Sequence, residues 1–110
     1  MPLYMYQLAY TAESWAAQLK NPQNRIKTVG KTAAEAVGGK LVDGWYCFGD
    51  FDAILVLDLP DNEAMTGIAL AVGAGGAIKA SKTTVLMSGA EGLAGMKRAG
   101  EVAKAYTPAR

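Results

Sequence analysis

The sequence predicts an α+β fold, a four-stranded antiparallel sheet with helices packed on one face. Three features carry that expectation. Strand-like alternation and helix-like spacing follow one another in the order strand, helix, strand, strand, helix, strand, with one more helix at the end. Glycine pairs and capping residues punctuate the joins. The stretch from Phe51 to Leu59 sets Phe51, Ala53, Leu55, Leu57 and Leu59 on one wholly apolar side. That is what an interior strand under helices requires.

Leu3–Tyr10 alternates as a first strand with both faces partly covered. Thr11 is placed to cap a short helix carrying Trp15 and Leu19, and Pro22 interrupts the pattern. Ile26, Val29, Ala33, Ala36 and Val37 then share one helical stripe, which Gly38 and Gly39 end. Lys40–Phe48 and Phe51–Leu59 form a hairpin with Gly49 and Asp50 as its tight connection. Asp61 caps a helix in which Met65, Ile68, Ala69 and Val72 recur, and "GAGG" at Gly73–Gly76 closes it. Ala77–Met87 is the fourth strand. Ser88 and Glu91 make a capping box for a last helix bearing Leu93, Met96, Ala103 and Tyr106. The order is the ferredoxin-like βαββαβ arrangement with an added C-terminal helix. One domain is expected over 1–110, with its core in 3–87 and the last helix in 88–106.

The far side of the third strand reads Asp52, Ile54, Val56, Asp58. Its apolar centre, taken together with tyrosines of the first strand, is expected to form an exposed patch that a second copy covers. A homodimer with two sheets face to face is the expected assembly.

Composition removes several classes of function. With eleven basic and ten acidic side chains, the formal charge is +1, so no strong field recruits nucleic acid or an anionic membrane. There is no histidine, which excludes Ser-His and Cys-His dyads and histidine-based metal sites within the chain. No cofactor or metal is expected. Cys47 is the only cysteine, which excludes an intrachain disulfide and suits a reducing, cytoplasmic setting. No apolar run is long enough to cross a bilayer, and the first ten residues lack a signal-peptide layout.

Several motifs invite a chemical reading. "VGKT" (Val29–Thr32) resembles the end of a phosphate loop, but Arg25 stands where the loop needs glycine. "GAGG" follows a helix instead of opening one, so it reads as a cap and turn. Asp50 and Asp52 flank Phe51 at the hairpin. A catalytic pair there would need burial, and a cation would need more oxygen ligands than the neighbourhood offers. Asp50 is therefore expected to shape the turn, while Asp52 bonds backbone amides or pairs with a base such as Arg25. Tyr6, Trp45 and Tyr46, among other aromatics, are candidates to line a small-molecule pocket with Asp52 and Arg25.

"GGKL" (Gly38–Leu41), "FGDFD" (Phe48–Asp52) and "LPDNEA" (Leu59–Ala64), with "YT" and "NPQNR" upstream, resemble the GYD domain family, small bacterial and archaeal proteins. The family's tyrosine is Phe51 here, so no role survives for that hydroxyl. The resemblance marks Gly49 and Asp52 as typical positions, with Pro22, Arg25, Gly38 and Gly39 behind them. It implies ferredoxin-like subunits paired as a dimeric α/β barrel, and no particular reaction. The expected function is a self-associating domain that binds a small ligand between sheet and helices. The alternatives are a dimeric-barrel enzyme, such as a cofactor-independent monooxygenase or isomerase, and a PII-like regulator. The short hairpin connection speaks against the last.

Overall fold

The computed structural model describes residues 2–110. Strands β1 (Leu3–Tyr10), β2 (Lys40–Tyr46), β3 (Ala53–Asp58) and β4 (Ile78–Leu86) form one antiparallel sheet in the order β2-β3-β1-β4. Between β1 and β2 lie α1 (Ala12–Lys20), a π-helical turn (Ile26–Gly30) and α2 (Lys31–Ala36). Helix α3 (Asn62–Ala74) joins β3 to β4, and α4 (Gly89–Ala105) follows β4. This is the ferredoxin-like order expected, with β1 and β3 central.

The pleat decides which side chains are buried. Tyr4, Tyr6, Leu8 and Tyr10 face the helices together with Ala53, Leu55 and Leu57, and all are buried. Register follows, since Tyr6 pairs with Leu55 and Tyr4 with Leu57. Ile26, Ala34, Met65 and Ile68 close the core from the helix side. The tyrosines of β1 therefore do not lie beside Ile54 and Val56 as the sequence suggested. The neighbours of those residues on the open face are Gln7 and Met5, because alternation sets odd-numbered β1 residues outward.

Three other expectations shift. The hairpin connection spans Cys47–Asp52, closed by Cys47 N–H donating to the Asp52 carbonyl at 2.9 Å. Gly49 turns it with φ +116°. Phe51 thus lies in the loop and Phe48 is fully exposed. The π-helical turn puts Lys31 N–H onto Ile26 O, one residue more than an α turn. The buried position downstream is consequently Ala34, while Ala36 is exposed. On α1, Trp15 packs edge-on against Tyr10 with ring centroids 5.1 Å apart, but Leu19 is exposed.

The caps form as expected. Thr11 accepts from Ser14 N–H at 3.1 Å, Asp61 accepts from Ala64 N–H at 2.9 Å, and Ser88 and Glu91 exchange both bonds of the capping box. Helix α4 buries no residue. With it, the radius of gyration reaches 17.4 Å, against about 13 Å for a compact chain of this length.

Candidate functional site

A cavity of about 330 Å³ lies between the sheet and its helices. Its floor is Tyr6, Leu8, Tyr10, Leu55 and Leu57. The π-helical turn and α2 form one wall through Ile26, Val29, Gly30 and Ala33, and α3 forms the other through Ile68, Ala71 and Val72. The turn makes this wall fit. A Cβ on Gly30 would stand 2.6 Å from Leu55 Cδ2, so the glycine lets the turn approach the sheet without displacing the end of the Leu55 side chain.

Two polar groups interrupt the apolar lining. The Tyr6 hydroxyl is shut from solvent and closes no hydrogen bond among the described residues, although the Ser81 side chain on β4 is near enough to act on it. Arg25 stands at the mouth, half-buried, between the cavity and an open polar groove lined by Glu13, Ser14, Gln18 and Gln23. Among the described residues Arg25 has no ion-pair partner: the ion pairs present are Lys31–Glu35 and Arg98–Glu101, both exposed. A half-buried guanidinium facing an apolar space without a carboxylate is an arrangement that favours an anionic visitor.

The expected site residues fall in three places. Tyr6 and Arg25 line the cavity. Tyr46 supports it, its hydroxyl accepting from Arg25 N–H at 3.1 Å and donating to Gln23 O at 3.5 Å, which latches the entry to the π-helical turn onto β2. Asp52 sits apart from the lining, its Oδ2 accepting from Tyr10 N–H at 2.8 Å and from Trp15 Nε1–H at 3.2 Å. Trp45 registers with Ile54 on the open face, half-exposed and away from the cavity. Cys47 Sγ–H reaches Phe51 O at 3.1 Å within the hairpin. Among the described residues no group of acidic or cysteine side chains is placed to hold a metal ion, and no helix is long and apolar enough to cross a membrane.

Sequence reading missed Tyr10, Val29, Gly30 and the α3 wall as lining residues. Gly30 inside a helical stripe was the available signal, since a glycine there marks a close approach.

Burial raises the phenol pKa of Tyr6, with Ser81 on β4 partly offsetting it. Burial raises that of Tyr10 as well, reinforced by Tyr46 and opposed by Arg25. The folded chain therefore keeps these protons to a higher pH than the unfolded chain, whose tyrosines titrate near 10.0. Above that point the unfolded state binds fewer protons, so stability falls as pH rises. The expected result is a stability flat in this respect below about pH 9 and declining from about pH 10 upward. Urea unfolding across that range, read against a Tyr6→Phe chain whose decline is shallower, checks it.

The sequence model described as "GYD domain" matches residues 4–94. The chain belongs to the GYD domain family. No curated protein matches it. This GYD domain is similar in fold to the crystal structure of MtbAldR, with a TM-score of 0.59 at 15% identity over 79% of this chain and 52% of that one. It is also similar to an AsnC family transcriptional regulator from Agrobacterium tumefaciens, with a TM-score of 0.52 at 13% identity over 79% of this chain and 50% of that one. A third likeness is FFRP-DM1, with a TM-score of 0.51 at 11% identity, covering 79% of this chain and 100% of that one. The GYD domain thus spans about half the length of MtbAldR and of the AsnC family regulator. At these identities the likeness concerns the fold.

Proposed function

We propose that this GYD domain is a self-associating binding domain whose cavity takes a small molecule with an apolar body and one anionic end. The observation that carries this is Arg25, a cation without a carboxylate partner at the mouth of an apolar cavity. The apolar walls supply burial for the body of the ligand, and the buried Tyr6 hydroxyl, with Ser81 near it, supplies an inner hydrogen bond. Asp52 supports binding over chemistry in this reading. Its Oδ2 is engaged in two structural bonds and lies outside the lining, which leaves the cavity without a carboxylate to serve as general base. Regulation is a use to which this fold is put in the AsnC family transcriptional regulator. A formal charge of +1 favours a regulatory role through ligand and partner copies over direct contact with nucleic acid. The single cysteine, Cys47, fits work in the cytoplasm.

Self-association is proposed through the open sheet face, where Met5, Ile54, Val56 and Leu86 lie half-exposed beside Trp45. Native mass spectrometry of protein purified without denaturation tests both halves. A dimer carrying a reproducible small adduct is expected. Octanoate and octanol then serve as probes in a titration. Octanoate is expected to bind more tightly, and Arg25→Ala to abolish the difference. No adduct and equal, negligible binding of both probes would overturn the ligand reading.

Tyr6→Phe separates a binding site from a packing defect. Removing a buried hydroxyl that closes no hydrogen bond among the described residues is expected to stabilise the empty protein by up to about 1 kcal/mol while weakening the adduct. Thermal unfolding with and without octanoate measures the two effects, which carry opposite signs only if the hydroxyl serves a ligand.

A further inference from the structure

Helix α4 presents a long surface that no part of the fold buries. At helical spacing, Leu93, Met96, Gly100 and Ala103 fall on one side, with Ala99 and Tyr106 beside them. Glu91, Arg98 and Glu101 fall on the other, and Lys97 and Lys104 stand at the margin of the apolar side next to Leu93. The apolar side is left largely uncovered: Leu93 is 53% exposed, Met96 74% and Tyr106 62%. The helix also carries Gly92, Gly95 and Gly100 in its interior, each costing about 1 kcal/mol of helix propensity relative to alanine. A helix of this composition does not hold its winding in water unaided.

The accessible surface points to what covers it. The chain exposes 7630 Å², whereas a compact monomer of 11.5 kDa would expose about 5,800 Å². The excess, about 1,800 Å², is more than twice the roughly 800 Å² that each partner contributes to a standard stable interface. Two residues, Met87 and Ser88, separate α4 from Leu86. Leu86 pairs with Leu3 on the open sheet face, so α4 leaves the chain from the end of that face. The same end of the face holds Asp58, whose Oδ1 is shut from solvent and has no hydrogen-bond partner among the described residues. Helix α4 brings Lys97 and Lys104, which form no ion pair among the described residues.

We infer that α4 is exchanged: it docks on a second copy of this chain, extending the contact made by the open sheet face, and its winding depends on that partner. The inference rests on the self-association proposed above. The exchange explains how a glycine-rich helix without a buried residue stays wound, and why the fold ends in an arm.

Sedimentation velocity over a dilution series, with the full chain and its Leu93→Lys/Met96→Lys variant, tests it together with amide hydrogen exchange. The wild type is expected to be a dimer whose α4 amides are protected above the dissociation constant and exchange freely below it, while β1 and β3 stay protected throughout. The variant is expected to dissociate at least about tenfold more readily, with an unchanged core. A wild-type dimer with unprotected α4, or a variant that dimerises as well as the wild type, overturns the exchange and leaves sheet-face association standing. A wild type that is monomeric throughout overturns both.

Discussion

Replacing Asp52 by alanine is expected to destabilise the fold by about 2–3 kcal/mol, since it strips the acceptor from two donors at once. The Tyr10 amide and the Trp15 indole both donate to Oδ2, at 2.8 and 3.2 Å. The Asp52 amide donates in turn to Leu8 O at 2.8 Å. One residue thus ties the end of β1, the first helix and the start of β3 together. Tyr10 is 9% exposed, so its amide would find little water once the carboxylate is gone. For a domain near this size each kcal/mol moves Tm by about 4–8 °C, so a loss on the order of 10 °C or more is expected. Asp52→Asn keeps a carbonyl acceptor and is expected to lose less than half as much. Urea unfolding followed by tryptophan fluorescence reads both variants. Equal losses in the two, or a loss within about 0.5 kcal/mol of zero, would mean that the hydrogen bonds to Oδ2 are not what holds this corner.

Gly39→Ala is expected to cost about 2 kcal/mol through overpacking at the entrance to β2. A Cβ there would collide with the Asp58 carbonyl oxygen and stand 2.6 Å from Leu59 Cδ2 and 3.2 Å from Leu59 Cα. Two of those three atoms are backbone, so rotating a side chain brings no relief. Strand β2 would have to lift from β3 where Lys40 meets Asp58. Gly67→Ala is the matched control. It lies exposed in α3 with nothing near its Cβ position and is expected to gain up to about 1 kcal/mol from helix propensity. Opposite signs in the two variants, measured by denaturant midpoint, separate close approach from a general effect of losing glycine.

The fold was legible because its signals are local. Alternation in Ala53–Asp58, the side chains of Thr11, Asp61 and Ser88, and the glycines at Gly38 and Gly76 each act within a few residues. The structural role of Asp52 was legible for the same reason, as a short carboxylate beside a turn. Its partners were not, because Trp15 lies 37 positions away. The side taken by the tyrosines of β1 escaped the sequence because both faces of that strand are apolar enough to be buried, and pairing with Leu55 and Leu57 decided the matter. The cavity was legible only in part. Arg25 and Tyr6 stood out by chemistry, but the walls depend on a π-helical turn, and a 3.6-residue period reads straight through it. Trp45 shows the opposite failure: its size suggested a pocket, whereas one step of the pleat sets it on the open face.

That turn also ties the cavity to chain length. Its winding holds one residue more than an α-helix would between Arg25 and α2. A chain shortened by a single residue there could wind as an ordinary helix, and everything before the missing position would swing by about 100° relative to α2. Arg25 would then leave the mouth. Among related sequences, the count of residues between the arginine and the glycine pair is therefore expected to separate chains with this cavity from chains without it, and it can be read without a structure.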